Sequence, residues 1–389
     1  MNNLLLVGNG FDVAHRLHTS YDDFLTIMKF RKHIIVDIKD AKNGRNINDK
    51  NPFHKFTLSV SNMDEDNLKN LGDIIEKNSW VKYYCRCEAE IDGWIDFERE
   101  IYPVIDMFEF VFNANCNTIG HGGKYGEALI DRNDFKSKNI LRVARLWDKY
   151  INANGVDNIC VKEPYASLQY GILKKKILKD LREEFDEFIL AFELYLYEFV
   201  YKRDDVKILK QIKDLDINTV ISFNYTLTER LYGLSEENVH HIHGMIREDF
   251  SGTKNNMVMG VNEQEDSNMD FIYFVKYFQR IQKASGVRYK ELIKRITTDG
   301  MATHTDYILH IYGHSLDETD EDILKYVIGD KESNDRIKLK PKRVIIFYYD
   351  DADYEQKVIN LIKLYSRSIV ETYMEKGLFE FRQTTNELV

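Results

Sequence analysis

Four stretches of this chain carry residues whose types and spacing could do chemistry. The first is Gly8-Asn9-Gly10-Phe11-Asp12, directly after the apolar run Leu4–Val7. Glycines at a strand end let the backbone turn sharply and bring N–H groups close to a ligand, as a phosphate-binding loop requires. The G-x-G-x-x-G pattern is incomplete, because Val13 holds the third place. A carboxylate at Asp12 would repel a pyrophosphate but could hold a ribose hydroxyl, or it could simply cap the following turn. The second stretch is Ser222-Phe223-Asn224-Tyr225-Thr226. Thr226 and Glu229 have capping-box spacing and Gly233 is placed as a helix stop. Asn224 then stands at a strand's carboxyl end with an amide able to donate and accept.

The third stretch is His240-His241-Ile242-His243-Gly244. On extended chain His241 and His243 share a face and His240 points away. Two imidazoles on one face suit a metal pair or acid–base work, and Gly244 would let a ligand approach His243. The fourth, Gly313-His314-Ser315-Leu316-Asp317, follows the apolar run Tyr307–Tyr312. Acids at Glu318, Asp320, Glu321 and Asp322 suit the first turn of a helix, where they complement its dipole. They speak against phosphate at this end and for a sugar or base. A further candidate, Trp94-Ile95-Asp96-Phe97-Glu98, has two carboxylates two residues apart, which do not share a helix face.

The elements that must position these residues are short. Runs at Leu4–Val7, Thr219–Phe223, Tyr307–Tyr312 and Arg343–Tyr349, with weaker ones at Val239–Ile242 and Met257–Gly260, have the length of buried strands. Helical patterns follow the runs at 4, 219, 307 and 343, the alternation of a mostly parallel α/β sheet of Rossmann-like type. Roughly two hundred residues separate the first strand from the second and read mainly as helix. Leu181, Phe185, Phe188, Phe192, Tyr195 and Phe199 form the clearest apolar stripe there. The expected organisation is a core from 1–30 and 215–389 with a helical insertion at 31–214. A stretch from Asp37 to Asn70, rich in Asn, Asp and Lys, reads as loop. No internal repeat is evident. Loops far apart in sequence would then meet at the carboxyl edge of the sheet, where such folds bind ligands.

Composition narrows the function classes. The net charge is −10, with both signs spread along the chain, so no basic surplus marks a duplex nucleic-acid surface. The cysteines Cys85, Cys87, Cys116 and Cys160 include no C-x-x-C pair, which is neither a zinc pattern nor a disulfide framework. Reduced thiols and the absence of a signal-like or membrane-spanning run point to a cytoplasmic protein.

Val7-Gly8-Asn9-Gly10-Phe11-Asp12, followed by Ala14-His15 and Thr19-Ser20-Tyr21-Asp22-Asp23-Phe24, resembles the N-terminal signature of the AbiH abortive-infection family. Trp94–Glu98, Ser222–Thr226, His241–Gly244 and Gly313–Asp317 resemble its later motifs in order. The resemblance implies bacterial defence against phage by halting the infected cell, with a phage-encoded trigger and a homo-oligomer both open.

A more distant resemblance is to sirtuin-like domains. Gly8-Asn9-Gly10, Asn224, His243-Gly244 and Gly313-His314-Ser315 follow the order of that family's glycine turn, asparagine, catalytic histidine and late Gly-x-Ser loop. It implies NAD as ligand or substrate, its pyrophosphate on the backbone of Gly8 to Phe11. Asn224 would orient the nicotinamide ribose or a water, and His243 would be the acid–base group, since an imidazole titrates near working pH. Asp12 joins these as a catalytic candidate. Phe11, Tyr225, His241, Gly244, Gly313, His314, Ser315 and Asp317 are candidate binding residues. Three departures stand out: Thr226 replaces the usual acid, Asp12 replaces a small hydroxyl residue, and the sirtuin zinc module is absent. Two other readings remain open. One is a phosphoester- or nucleic-acid-cleaving metal site of His241 and His243 with Asp12 or Asp317. The other is a nucleotide sensor without turnover, its insertion docking a partner.

Overall fold

The structure is a computed structural model describing residues 2–30, 62–87, 96–114, 116–121, 124–130, 138–154, 158–250, 254–262, 268–299, 303–304, 306–332, 336–339, 341–385 and 387–389. It also describes isolated positions 38, 40, 43 and 56. The described residues fall into two compact units. One holds 1–20, 199–258 and 280–389; the other holds 21–198 and 259–279.

The first unit is built on a six-stranded sheet. In chain order its strands are β1 (Asn2–Val7), β2 (Thr219–Ser222), β3 (Val239–His241), β4 (Tyr307–Tyr312), β5 (Arg343–Tyr348) and β6 (Phe379–Gln383). Every neighbouring pair is parallel, and the spatial order is β6-β5-β4-β1-β2-β3. The order reverses between β1 and β4, and open α/β sheets bind ligands outside the strand ends at such a point.

The run Leu4-Leu5-Leu6-Val7 forms β1 because both sheet faces are covered, so apolar residues suit every position. Leu4 and Leu6 pack with Ile221, Leu309, Ile311 and Ile346 on one face. Leu5 and Val7 pack with Val220, Tyr312, Ile345 and Phe347 on the other. Helices Glu321–Ile328 and Asp351–Tyr365 cover the first face through Ile323, Leu324, Val327, Leu361 and Leu364.

Register delivers the loops to one edge. Val7 lies beside Ser222 and Tyr312, and Ser222 beside His241. The chain therefore leaves β1, β2, β3 and β4 at one level, and Gly8, Phe223, Ile242 and Gly313 are the first residues out.

Three details differ from the sequence reading. Met257–Gly260 is buried but not a strand, because Val258 N–H donates to the loop carbonyl of His243 rather than to a ladder. Thr226 and Glu229 form no capping box; a short 3-10 helix, Thr228–Tyr232, follows, and Gly233 ends it in the left-handed region. Edge strand β6 lacked a signal because only Phe379 of its five residues is buried.

The second unit contains the long helix Lys174–Leu196, whose Leu181, Phe185, Phe188, Phe192 and Tyr195 are buried as the stripe requires. Phe24 packs against Phe188, Phe192 and Tyr195, and Trp80 against Trp147 and Phe185. The segment read as mainly helical also carries a four-stranded antiparallel sheet, from Cys116–His121, Lys124–Ile130, Ile151–Asn154 and Asn158–Val161. Most of the expected loop at Asp37–Asn70 lies outside the described residues; its last part, from Glu65, is helix. No helix among the described residues is long and apolar enough to cross a membrane.

Candidate functional site

The turns after β1 and β4 pack directly on each other. Gly8 N–H donates to the Tyr312 carbonyl at 3.1 Å, and Gly10 N–H to the Gly313 carbonyl at 2.9 Å. Side chains do not fit: a Cβ on Gly8 would sit 2.7 Å from the Gly313 oxygen, and one on Gly313 would sit 2.1 Å from the Phe11 nitrogen. Gly313 also adopts φ +66°, which disfavours any L side chain. The glycines thus serve backbone packing at the point where strand order reverses. Phe11 N–H is committed as well, to the Gly8 carbonyl at 2.9 Å. Asn9 stays exposed, its amide oxygen accepting a hydrogen bond from Thr19. His15 is structural: Leu209 N–H donates to the Tyr232 hydroxyl, which can then donate to His15 Nε2, while Nδ1 donates to the Phe11 carbonyl.

Asn224 joins this turn. Its Nδ2 donates to the Gly8 carbonyl at 3.0 Å, and its own N–H to Ser222 Oγ. From there a buried polar chain runs below β2. His241 Nδ1 lies 2.9 Å from the Asn224 carbonyl, and Nε2 3.2 Å from a Glu229 carboxylate oxygen. A carbonyl only accepts, so Nδ1 carries a proton; Nε2 against a carboxylate needs a second. The partners of His241 favour its protonated form. Burial pulls the His241 pKa down, but Glu229, the Asn224 carbonyl and Asp12 outweigh it, and the net shift is upward. Thr226 Oγ donates to Asp12 Oδ2 at 2.6 Å. Asp12 is fully buried, with Oδ1 unpartnered among the described residues. Burial is the main cause that pushes its pKa up to about 6, against hydrogen bonds from Thr226 and Thr228.

A second cluster is centred on Asp320. His243 Nε2 lies 3.4 Å from its Oδ1 and His314 Nε2 3.5 Å from its Oδ2, with both imidazoles buried. Leu316 N–H donates to His314 Nδ1, so the proton of neutral His314 sits on Nε2, toward Asp320. His243 Nε2 faces the same carboxylate from the loop after β3. The Phe223 ring lies against both, with centroids 5.5 Å from His243 and 4.3 Å from His314. Asp320 was read from the sequence only as a helix-start acid. Nothing in its spacing signals that the loop after β3 comes to face it.

The remaining candidates have evident partners. Gly244, at φ +73°, is required by the 254–258 segment, since a Cβ there would meet the Asn256 carbonyl at 2.1 Å. Tyr225 hydroxyl donates to the Val258 carbonyl. Asp317 caps the 3-10 turn Glu318–Asp320 by accepting from Thr319 N–H. Ser315 is exposed, and its carbonyl accepts from Asn360. His241 and His243 face different acids. Among the described residues, no three His, Cys, Asp or Glu side chains converge as a metal set.

In the second unit Trp94 and Ile95 lie outside the described residues. Asp96 accepts from the N–H groups of Glu98 and Arg99, shaping a turn. Glu98 accepts from Gly260 N–H at 3.1 Å and pairs with the buried Lys276 at 2.8 Å. Glu98 therefore ties residues 96–98 to the 260–276 segment.

Fold and site together define an α/β protein with buried polar side chains gathered at the carboxyl ends of β1 to β4. The family model for bacteriophage abortive infection AbiH matches residues 4–340, and the chain belongs to that family. Membership implies a role in abortive infection against bacteriophage. No curated protein and no solved structure matches the chain.

Proposed function

We propose that this abortive-infection protein is an effector that binds NAD, or a closely related nucleotide, at this edge of the sheet and hydrolyses its N-glycosidic bond. The reading takes the first unit as a Rossmann-like, sirtuin-like nucleotide-binding core and the insertion as a separate part. One observation carries it: Asn224 is hydrogen-bonded to the Gly8 turn, while the next strand's loop brings His243 to a carboxylate shared with His314.

In this reading His243 Nδ1 takes a proton from water. The water oxygen bonds to C1′ of the nicotinamide ribose, and the C1′–N bond breaks with its electron pair passing to the ring nitrogen. Nicotinamide, ADP-ribose and one proton result. Asp320 keeps the His243 Nε2 proton in place and stabilises the imidazolium as it forms. His241, already protonated toward Glu229, acts as a fixed charge and not as a base. With the Gly8, Gly10 and Phe11 N–H groups committed, pyrophosphate contact falls to Asn9.

The test is nicotinamide release from NAD by purified protein, alone and with extract of phage-infected cells to supply any trigger. The expected result is turnover that His243→Gln lowers by about 10²–10⁴, the usual worth of a positioned base, with an unchanged melting temperature. Binding of ADP-ribose without release under any condition would leave a sensor and overturn hydrolysis.

A further inference from the structure

Beside the edge strand β3, within the first unit, lies a pocket of about 210 Å3. Leu227, Leu234 and Val239 give it apolar walls, and Glu229, Arg230, Glu236, His241 and Arg288 bring charge to it. Each acid has a cation of its own. Glu229 meets His241 at 3.2 Å, and Glu236 meets Arg230 at 2.7 Å. Arg230 is held by Glu248 as well. Arg288 is the cation left over: it donates to the Glu236 backbone carbonyl at 3.0 Å and forms no ion pair among the described residues.

Two observations fix that guanidinium at the pocket. Its hydrogen bond ends on the lining residue Glu236. Burial, then His241, then Arg288 lower the pKa of His240, so the guanidinium charge also reaches a second lining residue. Arg288 is exposed, so a ligand can reach it from solvent. The helix it opens, Arg288–Thr297, adds charge of the same sign: Lys290, Lys294 and Arg295 are exposed on it against one acid, Glu291. Arg295 likewise donates to a carbonyl, that of Glu237 at 3.5 Å. In a chain of net charge −10 this is a local positive field beside an apolar cavity, and such a field attracts anions. The volume lies below the roughly 300–1,000 Å3 of drug-sized sites, so it admits a small body and not a whole dinucleotide.

We propose that this pocket binds a small organic anion, its apolar body against Leu227, Leu234 and Val239 and its carboxylate or phosphate head on the Arg288 guanidinium. The planar fork of a guanidinium matches either head with two parallel hydrogen bonds, and the body gains from leaving water. A neutral ligand would fill the walls and leave the guanidinium unmatched; a bare ion would do the reverse. The proposal does not depend on the nucleotide reading, because Asn9, His243 and Asp320 are not among the residues that line the pocket.

Ligand-observed NMR titrations of the full chain with benzoate, phenyl phosphate and the neutral benzamide test this. We expect at least one of the two anions to bind, and benzamide to bind about tenfold or more weakly than the better of them, the worth of a hydrogen bond to a charged group. The tighter anion assigns the head: benzoate a carboxylate, phenyl phosphate a phosphate. Arg288→Gln should weaken that anion about tenfold or more and leave benzamide as it was. Because Arg288 is exposed, the substitution should also leave the melting temperature unchanged. Binding of neither anion, benzamide binding as tightly as the better anion, or anion binding indifferent to Arg288→Gln overturns the proposal. The comparison of benzamide with the anions needs no variant, so it decides even where a substitution disturbs the fold.

Discussion

At the scale of single residues, Asp12 shows how burial sets chemistry. Its folded pKa is raised, from 3.8 to about 6, so ionisation opposes the folded state. The stabilising, protonated form is fully present below about pH 3.8. Its contribution is lost as pH rises through about 6, amounting to about 3 kcal/mol for a shift of this size. Asp12→Asn removes the titration. Across urea melts from pH 4 to 8 the variant should gain stability relative to wild type up to about pH 6–7 and then hold level. A difference independent of pH would show that Asp12 is not buried as described. Gly313 belongs to the same scale. Gly313→Ala places a Cβ against the Phe11 nitrogen at positive φ and should cost at least about 3 kcal/mol. Gly233→Ala, also at positive φ but with open space around it, should cost about 1 kcal/mol. Equal losses in thermal melts would mean that strain alone, and not the contact between turns, explains Gly313.

At the scale of elements, five strands were legible because each is a short apolar run buried on two faces. What sequence pattern could not supply was partnership. Thr226 carries a capping signal, yet its hydroxyl goes to Asp12, 214 positions away. Met257–Gly260 is apolar enough for a strand, but its neighbour is a loop. Asp320 looked like any first-turn acid, and only the register of β2, β3 and β4 turns it toward two imidazoles. The carboxylates near 96–98 were legible as unusual but not as an ion-paired tie. Glu98→Ala should cost about 3 kcal/mol, because its partner Lys276 is a nearly buried ammonium. The double variant Glu98→Ala/Lys276→Met should cost less than the two single losses added together. Strict additivity in that cycle would deny the coupling.

At the scale of the molecule, the family assignment and the sheet explain different things. Membership in AbiH states the biological setting, abortive infection, and the parallel sheet marks the edge where folds of this kind bind ligands. The proposed chemistry depends on a third fact, the meeting of residues near 8, 224, 243 and 314 at one sheet edge. The residue types there were legible in the sequence, as was their attachment to strand ends. The partnerships were not: His241 between the Asn224 carbonyl and Glu229, and His243 and His314 against Asp320, exist only in the folded chain. Asp320→Asn should therefore lower turnover while ADP-ribose affinity and melting temperature hold, since the role proposed for it is to orient His243 and not to hold the ligand. An equal loss of affinity would make Asp320 a binding residue.

A crystal structure of the protein soaked with ADP-ribose tests the central claim most directly. Expected is density for the distal ribose beside Asn224 and His243 Nδ1, with the pyrophosphate over the Gly8–Phe11 turn and against Asn9. Ligand density elsewhere on the chain, with only ordered water at that sheet edge, would contradict it.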